Sequence, residues 1–127
     1  MTKHSAQQIP EKSLHTAILN ELRNYLHLKK LSYFPNLEGA RRDKRQQVAA
    51  MLHGMRAGRP DIEIFLSNGR TVFIELKTSR GRLTDKQKQI HQELDDLGHD
   101  VRTIYAPDAV SAIKSLHKIL CEYGVIL

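Results

Sequence analysis

Several kinds of residue are scarce in this chain, and each shortage excludes a class of protein. A single cysteine, Cys121, leaves no intramolecular disulfide and no clustered cysteine metal site. Tryptophan is absent and aromatic residues make up 6% of the chain, so we expect a core of Leu, Ile and Val, with Cys121 as a small buried residue. No apolar run approaches the roughly 20 residues that span a bilayer. Residues 1–10 are polar and lack the apolar segment of a signal peptide, so we expect a soluble cytoplasmic protein without a membrane partner.

Acidic residues are also fewer than basic ones. The chain has 14 Asp and Glu against 20 Lys and Arg, which gives a formal charge of +6. Such an excess favours a polyanionic partner, because Lys and Arg that neutralise phosphates release condensed counterions. Charge alone leaves ribosomal, membrane-surface and DNA-binding roles open. The length of 127 residues predicts one domain over 1–127.

Hydrophobic periodicity predicts the elements of the N-terminal half. An amphipathic helix is predicted over about 11–29 from apolar residues at helical spacing, which are Leu14, Ile18, Leu22, Tyr25 and Leu26. A short strand at Tyr33–Phe34, a turn at Pro35–Asn36 and a second helix over about 44–53 are predicted to follow.

Two alternating segments around residue 68 predict a β-hairpin. A two-residue Asn68–Gly69 turn would place Asp61 on the face away from Glu75, whereas a three-residue loop with Gly69 in the left-handed conformation would pair Asp61 with Glu75. We predict the three-residue loop, because it gathers the apolar side chains on one face. These are Ile62, Ile64, Leu66, Val72, Ile74 and Leu76. The other face then carries Asp61, Glu63, Phe65, Phe73, Glu75 and Lys77.

The C-terminal half predicts a helix, a strand and a helix. Thr84–Asp85 would cap a helix that ends before Gly98, and a strand over 101–105 would follow, parallel to the second hairpin strand. A last helix that starts at Pro107–Asp108 would carry Ala109, Ile113, Leu116 and Leu120 on one side. The predicted fold class is therefore α/β, with a small mixed sheet flanked by helices.

The polar face of the hairpin predicts chemistry. Asp61 and Glu75 would lie close together at its open end, with Lys77 one pleat further along. Paired carboxylates repel each other unless a cation is present, and their oxygens suit Mg²⁺ or Mn²⁺. Water on such a metal is easier to deprotonate, and Lys77 can orient it or stabilise charge on phosphorus, so the pattern predicts phosphodiester hydrolysis. The alternative is a pair of edge charges with Lys77 as their ion-pair partner.

Short motifs also follow one another in a particular order. Gly58-Arg59-Pro60-Asp61 precedes the hairpin, Glu75-Leu76-Lys77 ends it, and the segment 82–87 opens a helix that ends at Gly98. From Glu11 to about Ile113, this series resembles the VRR-NUC family, the virus-type replication-repair nucleases of the PD-(D/E)XK superfamily. The resemblance implies a restriction-endonuclease-like core.

The resemblance also implies roles for individual residues. Asp61 and Glu75 would hold metal, Lys77 would assist the attacking water, and Gln87 would support the site from the following helix. Glu11 would add a carboxylate or contact the metal's ligands, and Glu21, on the same polar helix face, competes for that role. His15 stands where the family usually has Gln, which leaves its role open. Glu63, on the same sheet face, is a further candidate for the site, but a solvated strand charge is the expectation.

Basic residues bracket the expected site, and we expect them to contact phosphates: Arg41, Arg42, Lys44, Arg45, Arg56, Arg59, Arg80 and Arg82. The alternative is a solvated charged surface. Nothing resembles a helix arranged to read base edges, so recognition of DNA shape is expected. The remaining histidines lack zinc-site spacing and are predicted to lie at the surface: His53, His91, His99 and His117.

Small stand-alone members of the family resemble junction-resolving enzymes. The resemblance therefore implies a Mg²⁺- or Mn²⁺-dependent endonuclease that cuts branched DNA such as four-way (Holliday) junctions, acts as a homodimer, and serves repair or replication in a bacterial or phage-infected cell. The alternatives are a nuclease for flaps, nicks or ends, a non-catalytic module that binds branched DNA, and a small basic RNA-binding or ribosome-associated protein.

Overall fold

The structure, a computed structural model, describes residues 10–36, 44–54 and 56–127, so Arg41 and Arg42 lie outside the described residues. Its helices are α1 (Glu11–His27), α2 (Lys44–Leu52), α3 (Asp85–Asp96) and α4 (Ala109–Glu122). Its strands are β1 (Ser32–Pro35), β2 (Ile62–Phe65), β3 (Thr71–Thr78) and β4 (Asp100–Ala106). No helix in the described ranges is long and apolar enough to cross a membrane.

Four strands form one mixed sheet in the order β1-β2-β3-β4. The β1–β2 and β2–β3 pairs are antiparallel, and β3 and β4 are parallel. Helix α3 connects the two parallel strands, which is the connection that parallel neighbours require. The predicted α/β class, with a mixed sheet flanked by helices, is confirmed.

The register of the central hairpin is the one that a three-residue loop predicts. Ile62 pairs with Ile74, and one further step along the ladder places Asp61 opposite Glu75. Gly69 has a φ of 70°, in the left-handed region where a glycine carries no steric penalty. The two carboxylates therefore extend from the same face of the sheet.

The core lies between the other sheet face and helices α1 and α4. All six predicted apolar hairpin residues are buried there. Leu26 is 43% exposed, because twelve helical residues rotate it about 120° from Leu14, away from the core. Cys121 is exposed, so its predicted burial is wrong. Cys121 is rotated about 100° around α4 from Leu120, a core residue, and so points away from the core.

The end of β1 differs from the predicted turn. Pro35 pairs with Ile62 as the last residue of the strand, and the Asn36 amide donates to the carbonyl oxygen of Asp61 at 2.6 Å. Proline is tolerated here because β1 is an edge strand of the sheet. The predicted turn at Pro35–Asn36 is therefore wrong, and these residues instead extend the pairing as far as Asp61.

Candidate active site

The backbone of β3 fixes the carboxylate of Asp61. Strand β2 begins at Ile62, so Leu76 of β3 has Pro60 rather than a strand residue opposite it. The Leu76 amide donates instead to Oδ2 of Asp61, at 2.7 Å. The side chain thus takes the place of a backbone acceptor, and a hydrogen bond to a charged acceptor is stronger than one to a carbonyl.

Three contacts hold the segment that leads into Asp61. Nδ2 of Asn36 donates to the carbonyl oxygens of Arg59 and Pro60, at 3.4 and 3.3 Å. Gly58 approaches the first turn of α3 so closely that a Cβ there would lie 2.6 Å from the carbonyl oxygen of Lys86. The segment is therefore held by Asn36, at the end of edge strand β1, and by the first turn of α3.

A further link runs from this segment to α3. Both carboxylate oxygens of Glu93 accept hydrogen bonds from Nη2 of Arg56, at 2.8 and 2.9 Å. The pair is exposed, so its contribution to stability is small, but it neutralises the charge of Arg56.

Glu75 is the buried carboxylate of the pair. It is 1% exposed and is the one buried charged residue in the described ranges. Its burial, followed by the contact with Asp61, raises the pKa of Glu75 to about 10, although nearby Lys77 opposes the shift. Nε2 of His91, on α3, lies 3.2 Å from Oε1 of Glu75. Burial lowers the pKa of His91, so the neutral imidazole is favoured there.

The donor set of the carboxylate pair (Asp61 and Glu75) fits a hard divalent cation. Two carboxylates in contact, one of them buried, either share a proton or bind a positive charge. Carboxylate oxygens are the ligands that Mg²⁺ and Mn²⁺ prefer. Burial and then the contact with Asp61 disfavour the charged form of Glu75, which a bound cation would offset.

Lys77 and the first turn of α1 complete the surroundings of the pair. Nζ of Lys77 lies 3.9 Å from Oε1 of Glu11, and the Lys77 side chain is 12% exposed. Nε2 of His15 lies 3.6 Å from Oδ2 of Asp61. Glu11, His15 and Asp61 each offer one donor atom, and these atoms lie within 4.8 Å of one another.

The other candidate carboxylates lie elsewhere. Glu21 contacts His117 of α4, with 3.3 Å between Oε1 and Nε2, so Glu11 is the α1 carboxylate that faces Asp61. Glu63 is ion-paired with Arg59 and its side chain is 16% exposed, so it is not a free strand charge.

Gln87 has a structural contact of its own. Its side-chain Oε1 accepts a hydrogen bond from the backbone amide of Thr84 at 2.9 Å, and its backbone amide donates to Oγ1 of Thr84. The two bonds form a capping box at the start of α3. A supporting role at the active site stays a prediction.

The basic residues separate into paired and unpaired groups. Arg56 and Arg59 are ion-paired with Glu93 and Glu63. Arg80 and Arg82, just after β3, are exposed, and no ion pair in the described part of the chain engages them. Lys44 and Arg45 are also exposed, on α2.

Sequence reasoning missed His91 and Asn36. His91 was predicted to lie at the surface, but its side chain is 14% exposed and contacts Glu75. The side chain of His117 is 41% exposed, as a surface position predicts, although its ring also contacts Tyr25. A signal for His91 was present, because His91 follows Gln87 by four residues and so lies on the same face of α3.

The family assignment follows from a model of the VRR-NUC domain, which matches residues 4–107 of the chain. The chain belongs to the VRR-NUC family. This is a nuclease-type family that acts on DNA, and the match covers every residue described above as part of the candidate site. Comparisons with curated proteins and with solved structures gave no match. The predicted family is thus confirmed.

The pKa of Glu75 predicts how the metal-free protein responds to pH. Between about pH 4.5 and about pH 10, the folded chain binds more protons at Glu75 than the unfolded chain does, so the free energy of unfolding falls as pH rises. In EDTA, the melting temperature of the wild type should fall more between about pH 6 and about pH 9 than that of Glu75→Gln. Glu63→Gln, on the same sheet face, controls for loss of a carboxylate. Equal slopes for the wild type and Glu75→Gln would contradict the raised pKa.

Proposed function

We propose that this VRR-NUC protein is a divalent-cation-dependent endonuclease that hydrolyses phosphodiester bonds in branched DNA, such as four-way junctions, and acts as a homodimer. The observation that carries the proposal is the carboxylate pair, with buried Glu75 in contact with Asp61 and with Lys77 on the same strand. A chain that only bound DNA would gain nothing from a buried carboxylate whose pKa is raised to about 10.

Each residue would contribute a separate part of the chemistry. Asp61 and Glu75 would hold Mg²⁺ or Mn²⁺, and the ion would supply Lewis-acid stabilisation of the phosphate charge and lower the pKa of water. The Lys77 ammonium would donate a hydrogen bond to the attacking water or to a phosphate oxygen. The Leu76 amide would keep Asp61 oriented, and His91 would do the same for Glu75.

Selection by shape rather than sequence is supported by charge. The chain carries a formal charge of +6. Arg80 and Arg82, which form no ion pair with the residues that the structure describes, follow the strand that carries Glu75 and Lys77. Contacts to phosphates position a protein on DNA but carry no sequence information. A two-fold dimer would present two such centres, which suits symmetric cuts in two strands of a junction.

A panel of labelled substrates tests the proposal. A four-way junction, a flap, a nicked duplex and a linear duplex are incubated with Mg²⁺, Mn²⁺ or EDTA. The junction should be cut fastest, by paired and symmetric cuts that need the metal, and light scattering should give the mass of a dimer. Faster cutting of flaps, nicks or ends would show that one of these structures, and not the junction, is the preferred substrate. Binding without cutting in any metal would instead indicate a non-catalytic module.

The difference between ion-paired Arg56 and the exposed residues Arg80 and Arg82 predicts how salt affects DNA binding. Arg80→Gln and Arg82→Gln should each lower the slope of log affinity against log salt by about one, because each removes one phosphate contact. Arg56→Gln should change the slope less, because Glu93 already neutralises Arg56. Fluorescence anisotropy in EDTA measures this without cleavage. An Arg56→Gln effect as large as the other two would contradict the distinction.

A further inference from the structure

An imidazole lies among the carboxylates of the candidate site. Glu11 and His15 are four residues apart on α1, so they share one face of the helix. A carboxylate oxygen of Glu11, an imidazole nitrogen of His15 and a carboxylate oxygen of Asp61 lie within 4.8 Å of one another. The cluster therefore joins α1 to the residue just before β2 and combines two kinds of donor atom.

The contact between His15 and Asp61 is not a hydrogen bond. Its length of 3.6 Å exceeds the usual range for one, and Oδ2 of Asp61 already accepts from Leu76 at 2.7 Å. His15 is therefore not needed to orient Asp61. Donor atoms on one first-row metal ion lie about 3 Å apart when adjacent and about 4 Å apart when opposite, given metal–ligand distances of about 2.1 Å. Small side-chain shifts would bring all three donors to one ion.

The cluster is also accessible. The side chains of His15 and Asp61 are 29% and 20% exposed, and that of Glu11 is 45% exposed. Glu75, which contacts Asp61, is a further oxygen donor.

We propose that His15 is a metal ligand through an imidazole nitrogen, and that this nitrogen makes the site prefer a first-row transition-metal ion over Mg²⁺. The inference rests on the proposed function only in placing the metal at Asp61. Mg²⁺ takes oxygen ligands, whereas imidazole adds affinity for transition metals along the Irving–Williams order. The carboxylates alone would accept either kind of ion.

Pulsed electron paramagnetic resonance of bound Mn²⁺ tests the ligand directly. The wild type loaded with Mn²⁺ alone should show nitrogen modulation from a coordinated imidazole. His15→Gln should bind Mn²⁺ without the modulation, whereas His27→Gln, an exposed histidine at the end of α1, should keep it. His91→Gln should also keep it, which separates His15 from the histidine beside Glu75.

Calorimetry with each metal alone tests the preference. The ratio of Co²⁺ to Mg²⁺ affinity should fall at least about tenfold in His15→Gln, a loss of the size that follows changes around metal sites. His15→Glu, which replaces nitrogen with oxygen, should shift the preference further toward Mg²⁺. Circular dichroism establishes that each variant is folded.

The outcomes separate this inference from the proposed function. Nitrogen modulation that is absent in the wild type, or that persists in His15→Gln, would overturn the inference, and metal-dependent cleavage by the same preparation would leave the nuclease intact. An unchanged ratio of Co²⁺ to Mg²⁺ affinity in His15→Gln would overturn it as well. Failure of the wild type to bind Mn²⁺ at all would overturn both.

Discussion

Replacing Lys77 with methionine is expected to slow DNA cleavage by about 10²–10³-fold while leaving DNA binding close to that of the wild type. Methionine keeps the apolar stem of the side chain and removes the ammonium group. That ammonium lies on the strand that carries Glu75, with Nζ 3.9 Å from Oε1 of Glu11. In the proposed mechanism this ammonium would meet the charge that develops on phosphate, and such donors act mainly in the transition state.

The measurement for Lys77 is single-turnover cleavage of a labelled four-way junction, with binding measured by anisotropy in EDTA. Lys88→Met, on the exposed part of α3, is the matched control and should cleave at the wild-type rate. A Lys77→Met protein that cleaves as fast as the control would remove Lys77 from the chemistry. Parallel losses of binding and cleavage would assign it to binding instead.

Replacing Gly58 with alanine is expected to destabilise the fold and to misplace Asp61. Gly58 has a φ of 97°, a conformation that costs an L-residue about 1–2 kcal/mol. An added Cβ would also lie 2.6 Å from the carbonyl oxygen of Lys86, which is backbone and cannot move aside. Overpacking of this kind adds about 1–3 kcal/mol. Since Gly58 is three residues before Asp61, cleavage should fall together with stability.

Gly54 offers a control for the backbone strain alone. Its φ is 92°, but no atom of the described residues lies within 4 Å of the position that a Cβ would take. Gly54→Ala should therefore lose about 1–2 kcal/mol and keep its cleavage activity. Urea denaturation of the two variants measures the difference. Equal losses in the two variants would show that the contact between Gly58 and α3 is not tight in solution.

Much of the fold could be predicted because local patterns decide it. The alternation of apolar residues sets the faces of the hairpin, and the choice of a three-residue loop then fixes which residue lies opposite Glu75. Thr84 and Gly98 mark the two ends of α3, with a capping box at the start and a φ of 88° after the end. These signals are local, so they can be interpreted from the sequence without knowledge of the tertiary structure.

The surroundings of the carboxylates could not be predicted in the same way. The contact of His91 with Glu75 depends on how α3 packs across the sheet, and sequence separation gives no distance for it. The bond from Asn36 to the segment before Asp61 depends on an edge strand that the sequence reads as a turn. Both are contacts between distant parts of the chain, where tertiary packing decides.

The basic residues show a related limit of sequence reasoning. Charge density near Asp61 predicts phosphate contacts for all of them alike. In the structure, Arg56 is neutralised by Glu93, which lies 37 residues away in the chain. A net positive charge therefore overstates the number of cations that are free to meet DNA.

The most direct test of a metal-dependent centre at Asp61 and Glu75 is junction cleavage by the wild type and by Asp61→Asn, each with Mn²⁺ and with EDTA. Asparagine can still accept the hydrogen bond from Leu76, so the fold should persist while the carboxylate charge is lost. We predict cuts by the wild type in Mn²⁺, none in EDTA, and a loss of at least about 10³-fold in folded Asp61→Asn. Cleavage that persists in EDTA, or that Asp61→Asn retains, would contradict the account.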